Sequence, residues 1–142
     1  MSSITATTRI FLTRIYRFCC SHRLHSPSLS TRKNLELYHE CNNRFGHGHD
    51  YSLEVSLRGN INPLTGMSSD LARVDRIVKR EIVDRYDHKH LNYDVRDFKE
   101  MVPTAENILR VIWERLSAQL PKGMLYKLKL VETSNNYFEY YG

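Results

Sequence analysis

Hydrophobic residues recur along the chain with two different periods. Between positions 47 and 58 they alternate with polar residues, which is typical of a strand with one buried face. In two later segments they recur every three to four residues, which is typical of amphipathic helices. The complete pattern predicts strands at residues 9–20, 47–58, 125–132 and 137–141, a short helix at 30–40, and long helices at 68–86 and 103–120.

The order of the long elements predicts the fold class. Two strands, two helices and two strands (ββααββ) suit an α+β domain in which a four-stranded antiparallel sheet carries both long helices on one face. Such a sheet leaves backbone groups unpaired at its edges, and sheets from several subunits that close into a barrel would pair them. Because 142 residues suit one core, we expect a single domain over residues 9–142 and a flexible tail at residues 1–8.

Charge and cysteine content restrict the classes of binding partner and the cellular compartment that we expect. The formal net charge of +5 favours an anionic partner, but no long basic tract or aromatic RNA-binding motif is present, so we expect no nucleic acid partner. No apolar run is long enough to span a bilayer, so we expect no membrane partner. Three cysteines, two of them adjacent, favour a reducing, cytoplasmic location. The first 35 residues lack Asp and Glu and are rich in Arg, Ser and Thr, so mitochondrial import is the alternative.

Two histidines at the start of the second strand indicate a metal site. His47 and His49 are two residues apart, so their side chains share one face of the strand. His22, just beyond the first strand, can supply a third imidazole, and three imidazoles with an open fourth position are typical of catalytic zinc. Gly46 and Gly48 leave room around the rings. The alternative is a chance pair in a chain with seven histidines, of which we assign His25, His39 and His90 to loops or the surface.

Cys41 precedes the histidine pair and has three interpretations. It is a fourth ligand in a closed structural zinc site, a small buried residue, or a thiolate that moves protons. For the third role, Asp87 and His88 are plausible partners, because the carboxylate orients the imidazole and the imidazole activates the sulfur. The alternative for Asp87 and His88 is an ordinary pair in the loop that follows a helix.

Three further polar residues are candidates for substrate binding. Glu132 shares its face of the strand with Leu128 and Leu130, and its carboxylate could accept paired N–H donors from a guanidine-like edge of a heterocycle. The alternative is a solvated glutamate at a strand end. Thr104 and Glu106 are explained equally well as a helix cap and a favourable acid in the first helical turn.

Seven short motifs in order resemble the 6-pyruvoyl-tetrahydropterin synthase family, and the similarity runs from about Arg9 to Tyr141. The motifs are Ser21-His22-Arg23-Leu24-His25-Ser26-Pro27, Cys41-Asn42-Asn43, Gly46-His47-Gly48-His49, Leu64-Thr65-Gly66-Met67, Asp87-His88-Lys89, Thr104-Ala105-Glu106-Asn107 and Glu132-Thr133. The resemblance implies zinc-dependent conversion of 7,8-dihydroneopterin triphosphate to 6-pyruvoyl-tetrahydropterin, with loss of triphosphate, in tetrahydrobiopterin biosynthesis.

The resemblance also implies a role for each candidate residue. The zinc ligands would be His22, His47 and His49, the proton-transferring residues Cys41, Asp87 and His88, and the pterin-binding residues Glu132, Thr104 and Glu106. The family has the T-fold, whose subunits close barrels and stack as a homohexamer of two trimers. Pockets then lie between subunits, and Cys41 and His88 would reach one site from different chains.

Two competing functions are a 6-carboxy-tetrahydropterin synthase and a non-catalytic pterin-binding protein. The first typically has a shorter gap between the cysteine and the H-G-H motif, whereas five residues separate Cys41 from His47 here. The presence of Cys41, Asp87 and His88 argues against the second. The chain departs from the usual pattern at Cys19-Cys20, Tyr86, His90 and Ser69-Asp70, none of them a proposed ligand.

Overall fold

The computed structural model describes residues 9–142; the predicted tail at residues 1–8 lies outside them. The strands are β1 Arg9–His22, β2 His47–Asn60, β3 Lys89–His90, β4 Leu125–Thr133 and β5 Asn136–Tyr140. The α-helices are α1 Thr31–Tyr38, α2 Leu71–Val78, α3 Asp84–Tyr86, α4 Leu91–Asp94 and α5 Ala105–Gln119. Short 3₁₀ turns at His39–Asn42 and Arg96–Phe98 follow α1 and α4. The α+β class is confirmed.

The sheet has five strands in the order β3-β1-β2-β4-β5. Four of them are antiparallel, but β3 runs parallel to β1, pairing Lys89 with Cys20 and His90 with Ser21. The predicted four-stranded antiparallel sheet and the ββααββ order are therefore wrong in detail. The polar segment after α3 returns to the open edge of β1 and pairs part of its backbone, which an unpaired edge favours.

Strands β1 and β2 pair without interruption over their whole length. The register runs from Arg9 opposite Asn60 to His22 opposite His47. Directly opposite residues of an antiparallel pair share a face, so this register decides which side chains meet at the open end of the hairpin.

The core lies between one face of the sheet and the long helices. Alternate residues of β2 and β4 point inward against the apolar faces of α2 and α5, as the two periods of the sequence predict. Fully buried members of this layer include Leu53, Val55, Leu57, Val78, Ile82, Ile108, Ile112, Leu116, Leu128 and Leu130. Burying such side chains stabilises the fold by roughly 1.5–3 kcal/mol each before conformational entropy is subtracted.

The first long helical segment ends at Tyr86 as predicted but differs from its prediction at the start and in the middle. It begins after Asp70, whose side chain caps it by accepting from the Arg73 N–H at 3.1 Å, and not after Ser68 or Ser69. A π-helical turn, Lys79–Val83, separates α2 from α3. Glu81 in this turn is buried and lies 3.6 Å from Arg115 of α5, so the irregular turn links the two helices through an ion pair.

The second long helix begins as predicted. The Thr104 hydroxyl accepts from the Asn107 N–H at 3.2 Å and caps α5, directly after Pro103. The far face of the sheet keeps large apolar side chains exposed, among them Phe11 and Ile15 of β1, and the sheet of one chain is not closed. No helix within residues 9–142 is long and apolar enough to cross a membrane.

Candidate metal centre and active site

Three histidine side chains converge on the helix-covered face of the sheet. His22 ends β1 opposite His47, the first residue of β2, and His49 follows on the same face. One ligand atom from each ring lies within 4.8 Å of the others, and His22 Nε2 is 3.2 Å from His47 Nε2. The ring planes cross at 69°, 85° and 87°. The arrangement could hold one metal ion through three imidazole nitrogens.

A backbone carbonyl orients the most buried of these rings. His22 Nδ1 donates to the Pro103 carbonyl oxygen at 2.7 Å, so Nε2 carries the lone pair and faces the other histidines. Burial lowers the pKa of His22 to about 4 and outweighs the opposing effect of the Pro103 hydrogen bond. Burial also lowers the pKa of His49. Both rings are therefore neutral at pH 7, as metal ligation requires.

The two glycines beside the histidines differ in how much space a side chain would have. Gly46 has φ +76°, and a Cβ there would lie 2.6 Å from the His22 carbonyl oxygen and 2.9 Å from His90 Nε2. A Cβ at Gly48 would meet only the Cys20 carbonyl oxygen, at an ordinary 3.5 Å. Glycine is thus required at position 46, by both conformation and space, and not at position 48.

Cys41 stands apart from the three-imidazole group. It lies half-buried in the 3₁₀ turn after α1, and its carbonyl oxygen accepts from the Leu24 N–H at 2.9 Å. Among residues 9–142, the convergent metal-ligand group contains His22, His47 and His49 without the Cys41 sulfur. Burial first, and then the carboxylates of Glu132 and Glu40, raise the pKa of Cys41. A thiolate here therefore needs a cation beside it.

Asp87 and His88 form a hydrogen-bonded pair at the outer edge of β1. Asp87 Oδ2 lies 3.0 Å from His88 Nδ1, and Asp87 Oδ1 accepts from the Cys19 N–H at 2.8 Å. The His88 N–H in turn donates to the Cys19 carbonyl oxygen at 2.6 Å. The backbone hydrogen bond from Cys19 is the main cause of the lowered pKa of Asp87. The carboxylate can therefore orient the imidazole of His88, which is 83% exposed.

The described chain does not join this pair to Cys41. No hydrogen bond or ion pair between Cys41 and either Asp87 or His88 occurs within residues 9–142. The pair faces solvent at the edge of the sheet, whereas Cys41 lies among residues near the imidazoles and Glu132. In one chain, therefore, Cys41 and the Asp87–His88 pair, which together form the predicted proton-transfer group, lie at separate places.

Glu132, near the end of β4, lies close enough to Cys41 and to His49 to influence both. Its carboxylate raises the pKa of Cys41 and partly offsets the lowering of the His49 pKa by burial. The Asn136 side-chain amide donates to Glu132 Oε1 at 3.4 Å across the β4–β5 turn. The Glu132 side chain is half-buried. It therefore lies where the sequence predicts it, as a carboxylate acceptor at the end of the apolar face of β4.

Comparison with known proteins decides the family. The sequence profile described as 6-pyruvoyl tetrahydropterin synthase matches residues 11–142. The chain belongs to this family. It is 44% identical over 131 residues to the 6-pyruvoyl tetrahydrobiopterin synthase of Homo sapiens, an alignment that covers 92% of this chain and 90% of the human one.

A solved structure supports the same assignment. The fold is similar to that of the Caenorhabditis elegans 6-pyruvoyl tetrahydropterin synthase, with a TM-score of 0.91 and 38% identity, over 96% of this chain and 97% of that one. Similarity to a 6-carboxy-5,6,7,8-tetrahydropterin synthase of Rickettsia felis is lower, 28% over 119 residues, covering 71% of this chain and 86% of the other. The family is thus one of enzymes. The family membership predicted from the seven motifs is confirmed.

The remaining residues predicted to bind substrate lie beside Pro103. Thr104 caps α5 immediately after the carbonyl group that accepts from His22, so it is close to the metal centre along the chain. Glu106 is exposed in the first turn of α5, where the capping explanation suits it equally well. Their pterin-binding roles stay predictions.

Sequence reasoning missed two residues next to the metal centre. His90 was expected in a loop or at the surface, but it belongs to β3, and both of its ring nitrogens are buried without a partner among the described residues. It packs on Tyr93 at a ring-centroid distance of 4.5 Å. Tyr51 was assigned only to the core face, yet its ring contacts His49 at 5.5 Å. Burial, then Cys20 and Glu132, raise the pKa of Tyr51.

We predict that Gly46→Ala and Gly48→Ala differ sharply. The alanine at position 46 must adopt a left-handed conformation against the His22 carbonyl, so the free energy of unfolding should fall by about 2 kcal/mol or more and metal affinity should drop at least about tenfold. The change at position 48 should cost less than about 0.5 kcal/mol. Urea unfolding and metal titration of both variants test this. Equal effects would show that the close approach at Gly46 does not constrain the site.

We predict that the metal-free protein loses stability as the pH falls from about 6.5 to about 4. The unfolded state protonates His22 near pH 6.5 and the folded state only near pH 4, so the free energy of unfolding should fall by up to about 3 kcal/mol over this window. Urea unfolding with a chelator at several pH values measures it. His22→Gln should flatten the slope, whereas the exposed control His39→Gln should keep it. An unchanged slope in His22→Gln would contradict the prediction.

Proposed function

We propose that the chain uses Zn²⁺ at His22, His47 and His49 to convert 7,8-dihydroneopterin triphosphate to 6-pyruvoyl-tetrahydropterin, eliminating triphosphate, in tetrahydrobiopterin biosynthesis. The observation that carries the proposal is the convergence of three imidazoles near Glu132, in a chain that matches the family along nearly its whole length. Neutral imidazoles without other donors are a set that zinc favours.

The chemistry divides between the metal centre and the chain's own acids and bases. When bound, Zn²⁺ acts as a Lewis acid that makes C–H and O–H protons beside the coordinated oxygens more acidic. The Pro103 carbonyl keeps the His22 ring oriented for this ligation. Cys41, which lies near the Glu132 carboxylate, accepts and returns protons of the substrate side chain. The net charge of +5 favours the approach of a triphosphate.

Cys41 needs help to ionise, because burial and two carboxylates keep its thiol protonated. We propose that the help comes from His88 of a second copy of the chain. The His88 imidazole is oriented by Asp87 and is 83% exposed, which suits a group that completes a site in a neighbouring subunit. The sheet is open in one chain, so sheets from several copies could close into a barrel and bring a second copy next to Cys41. We propose that this assembly is a homohexamer built from two trimers.

The pterin ring is proposed to bind at Glu132. A carboxylate matches the paired N–H donors of the pterin's guanidine-like edge, and Asn136 limits the directions in which it can turn. Thr104 and Glu106 are proposed to line the same pocket. We further propose a cytoplasmic location, which the three free cysteines support, with Cys20 and Cys41 at least half-buried as thiols.

The alternative substrate chemistry is that of 6-carboxy-tetrahydropterin synthases. The lower similarity to such an enzyme and the five residues between Cys41 and His47 favour the pyruvoyl product. Incubation of the zinc-loaded protein with 7,8-dihydroneopterin triphosphate, followed by chromatography of the products, separates the two. Release of triphosphate with a pyruvoyl product supports the proposal, and a carboxylated product would replace it.

We predict that Cys41→Ala keeps one equivalent of zinc per chain and loses turnover by about 100-fold or more, since general base catalysis contributes typically 10²–10⁴-fold. Zinc is measured by metal analysis and turnover by triphosphate release. The matched control, Cys19→Ala, removes an exposed thiol on the face of β1 that points away from the imidazoles. It should keep both zinc content and turnover. His22→Ala should lose metal. Zinc loss in Cys41→Ala would instead indicate a four-ligand structural site.

We predict that two inactive variants restore each other. In hexamers assembled from Cys41→Ala and His88→Ala chains, random mixing leaves about a quarter of the intersubunit sites with both residues intact. Triphosphate release by the refolded mixture should therefore recover to about a quarter of the wild-type rate. A mixture of Cys41→Ala with the doubly substituted Cys41→Ala, His88→Ala chain should stay inactive. The absence of recovery in the first mixture would place both residues of each site in one chain.

A further inference from the structure

Tyr51 buries a hydroxyl group that makes no hydrogen bond in the described chain, although the Glu132 carboxylate lies near enough to raise its pKa. The side chain is 1% exposed, and its Oη makes no hydrogen bond to any described residue. The ring is fixed by packing, stacked on Phe18 at a centroid distance of 5.3 Å and edge-on to His49 at 5.5 Å. A rigidly held, buried donor without an acceptor is unusual in a folded protein and indicates a partner still to come.

The strand register identifies the acceptor nearest to this hydroxyl group. Ser52 pairs with Val131 and Leu53 with Leu130, so the same register places Tyr51 opposite Glu132. Opposite residues of an antiparallel pair lie on the same face. Strand β4 changes register between Val131 and Thr133, at Glu132 itself, so this side chain is less constrained than its neighbours.

Glu132 has capacity for a second protein donor. An ionised carboxylate offers about four acceptor positions on two oxygens. Asn136 uses one of them, on Oε1, from the solvent side. A donor from the core side would leave two positions facing outward, which is the number that a paired N–H edge requires. Tyr51 is the phenol placed to supply that donor, and phenols are protonated at neutral pH.

We propose that Tyr51 is a positioning residue for pterin recognition, whose hydroxyl group donates to the Glu132 carboxylate when a dihydropterin occupies the site. This inference rests on the proposed function of Glu132 as the pterin anchor. The hydrogen bond fixes the carboxylate rotamer and directs its remaining acceptors at the ring of the ligand. It acts on recognition of the ring, so it affects ground-state binding and leaves the proton transfers at Cys41 alone.

The experiment removes only the hydroxyl group. Tyr51→Phe should raise the Kd for 7,8-dihydroneopterin, a ligand without the reactive triphosphate, by about tenfold in calorimetric titration, which corresponds to about 1.4 kcal/mol. The KM for the triphosphate substrate should rise by a similar factor, with kcat and zinc content within about twofold of wild type. Tyr86→Phe is the matched control, because Tyr86 is equally buried and its hydroxyl group is also unpartnered in the described chain. It should bind dihydroneopterin like wild type.

A double-mutant cycle with Glu132→Gln separates positioning from general packing. If Tyr51 acts through Glu132, the Tyr51→Phe change should weaken binding less than about twofold in the Glu132→Gln background. An equal loss in both backgrounds, an unchanged Kd in the single variant, or a loss of zinc or kcat would overturn the inference. A wild-type protein that binds dihydroneopterin but releases no triphosphate would overturn the proposed reaction and leave the role of Tyr51 to the binding data.

Discussion

The uninterrupted antiparallel pairing of β1 with β2 is the constraint on which the group of three histidines depends. It places His22 opposite His47 and Cys20 opposite His49, so three imidazoles share the face that the helices cover. A slip of one residue would turn the imidazoles of one strand to the other face of the sheet. The long register, anchored by buried residues such as Leu53, makes such a slip very costly. The stability of the core thereby also fixes the geometry of the site.

The segment between the two long helices also positions groups of the site. It places Asp87 and His88 at the edge of β1, forms β3, and then delivers the Pro103 carbonyl to the His22 ring. The same loop thus supports the His22 ring and presents the exposed imidazole that we assign to a neighbouring subunit. The two functions are coupled through β1, since both contacts are made within its last four residues.

Much of this arrangement could be predicted from the sequence, because strong periodicity and short motifs carry local information. The alternation in β2 and the H-x-H spacing placed His47 and His49 on one face. The two-residue strand β3 could not be predicted, since it has no period and exists only because the edge of β1 is available. The surroundings of Tyr51 and His90 were missed for a related reason: both depend on contacts between segments far apart in sequence.

The way in which β1 holds Asp87 and His88 explains one oddity of the sequence. Both contacts to the pair come from the main chain of Cys19, through its N–H and its carbonyl oxygen, and neither uses the thiol. The side chain at this position is consequently free to drift during evolution, provided that it is not proline, which has no N–H to donate. The carboxylate of Asp87 and the imidazole of His88 therefore keep their places whether position 19 carries a cysteine or another small residue.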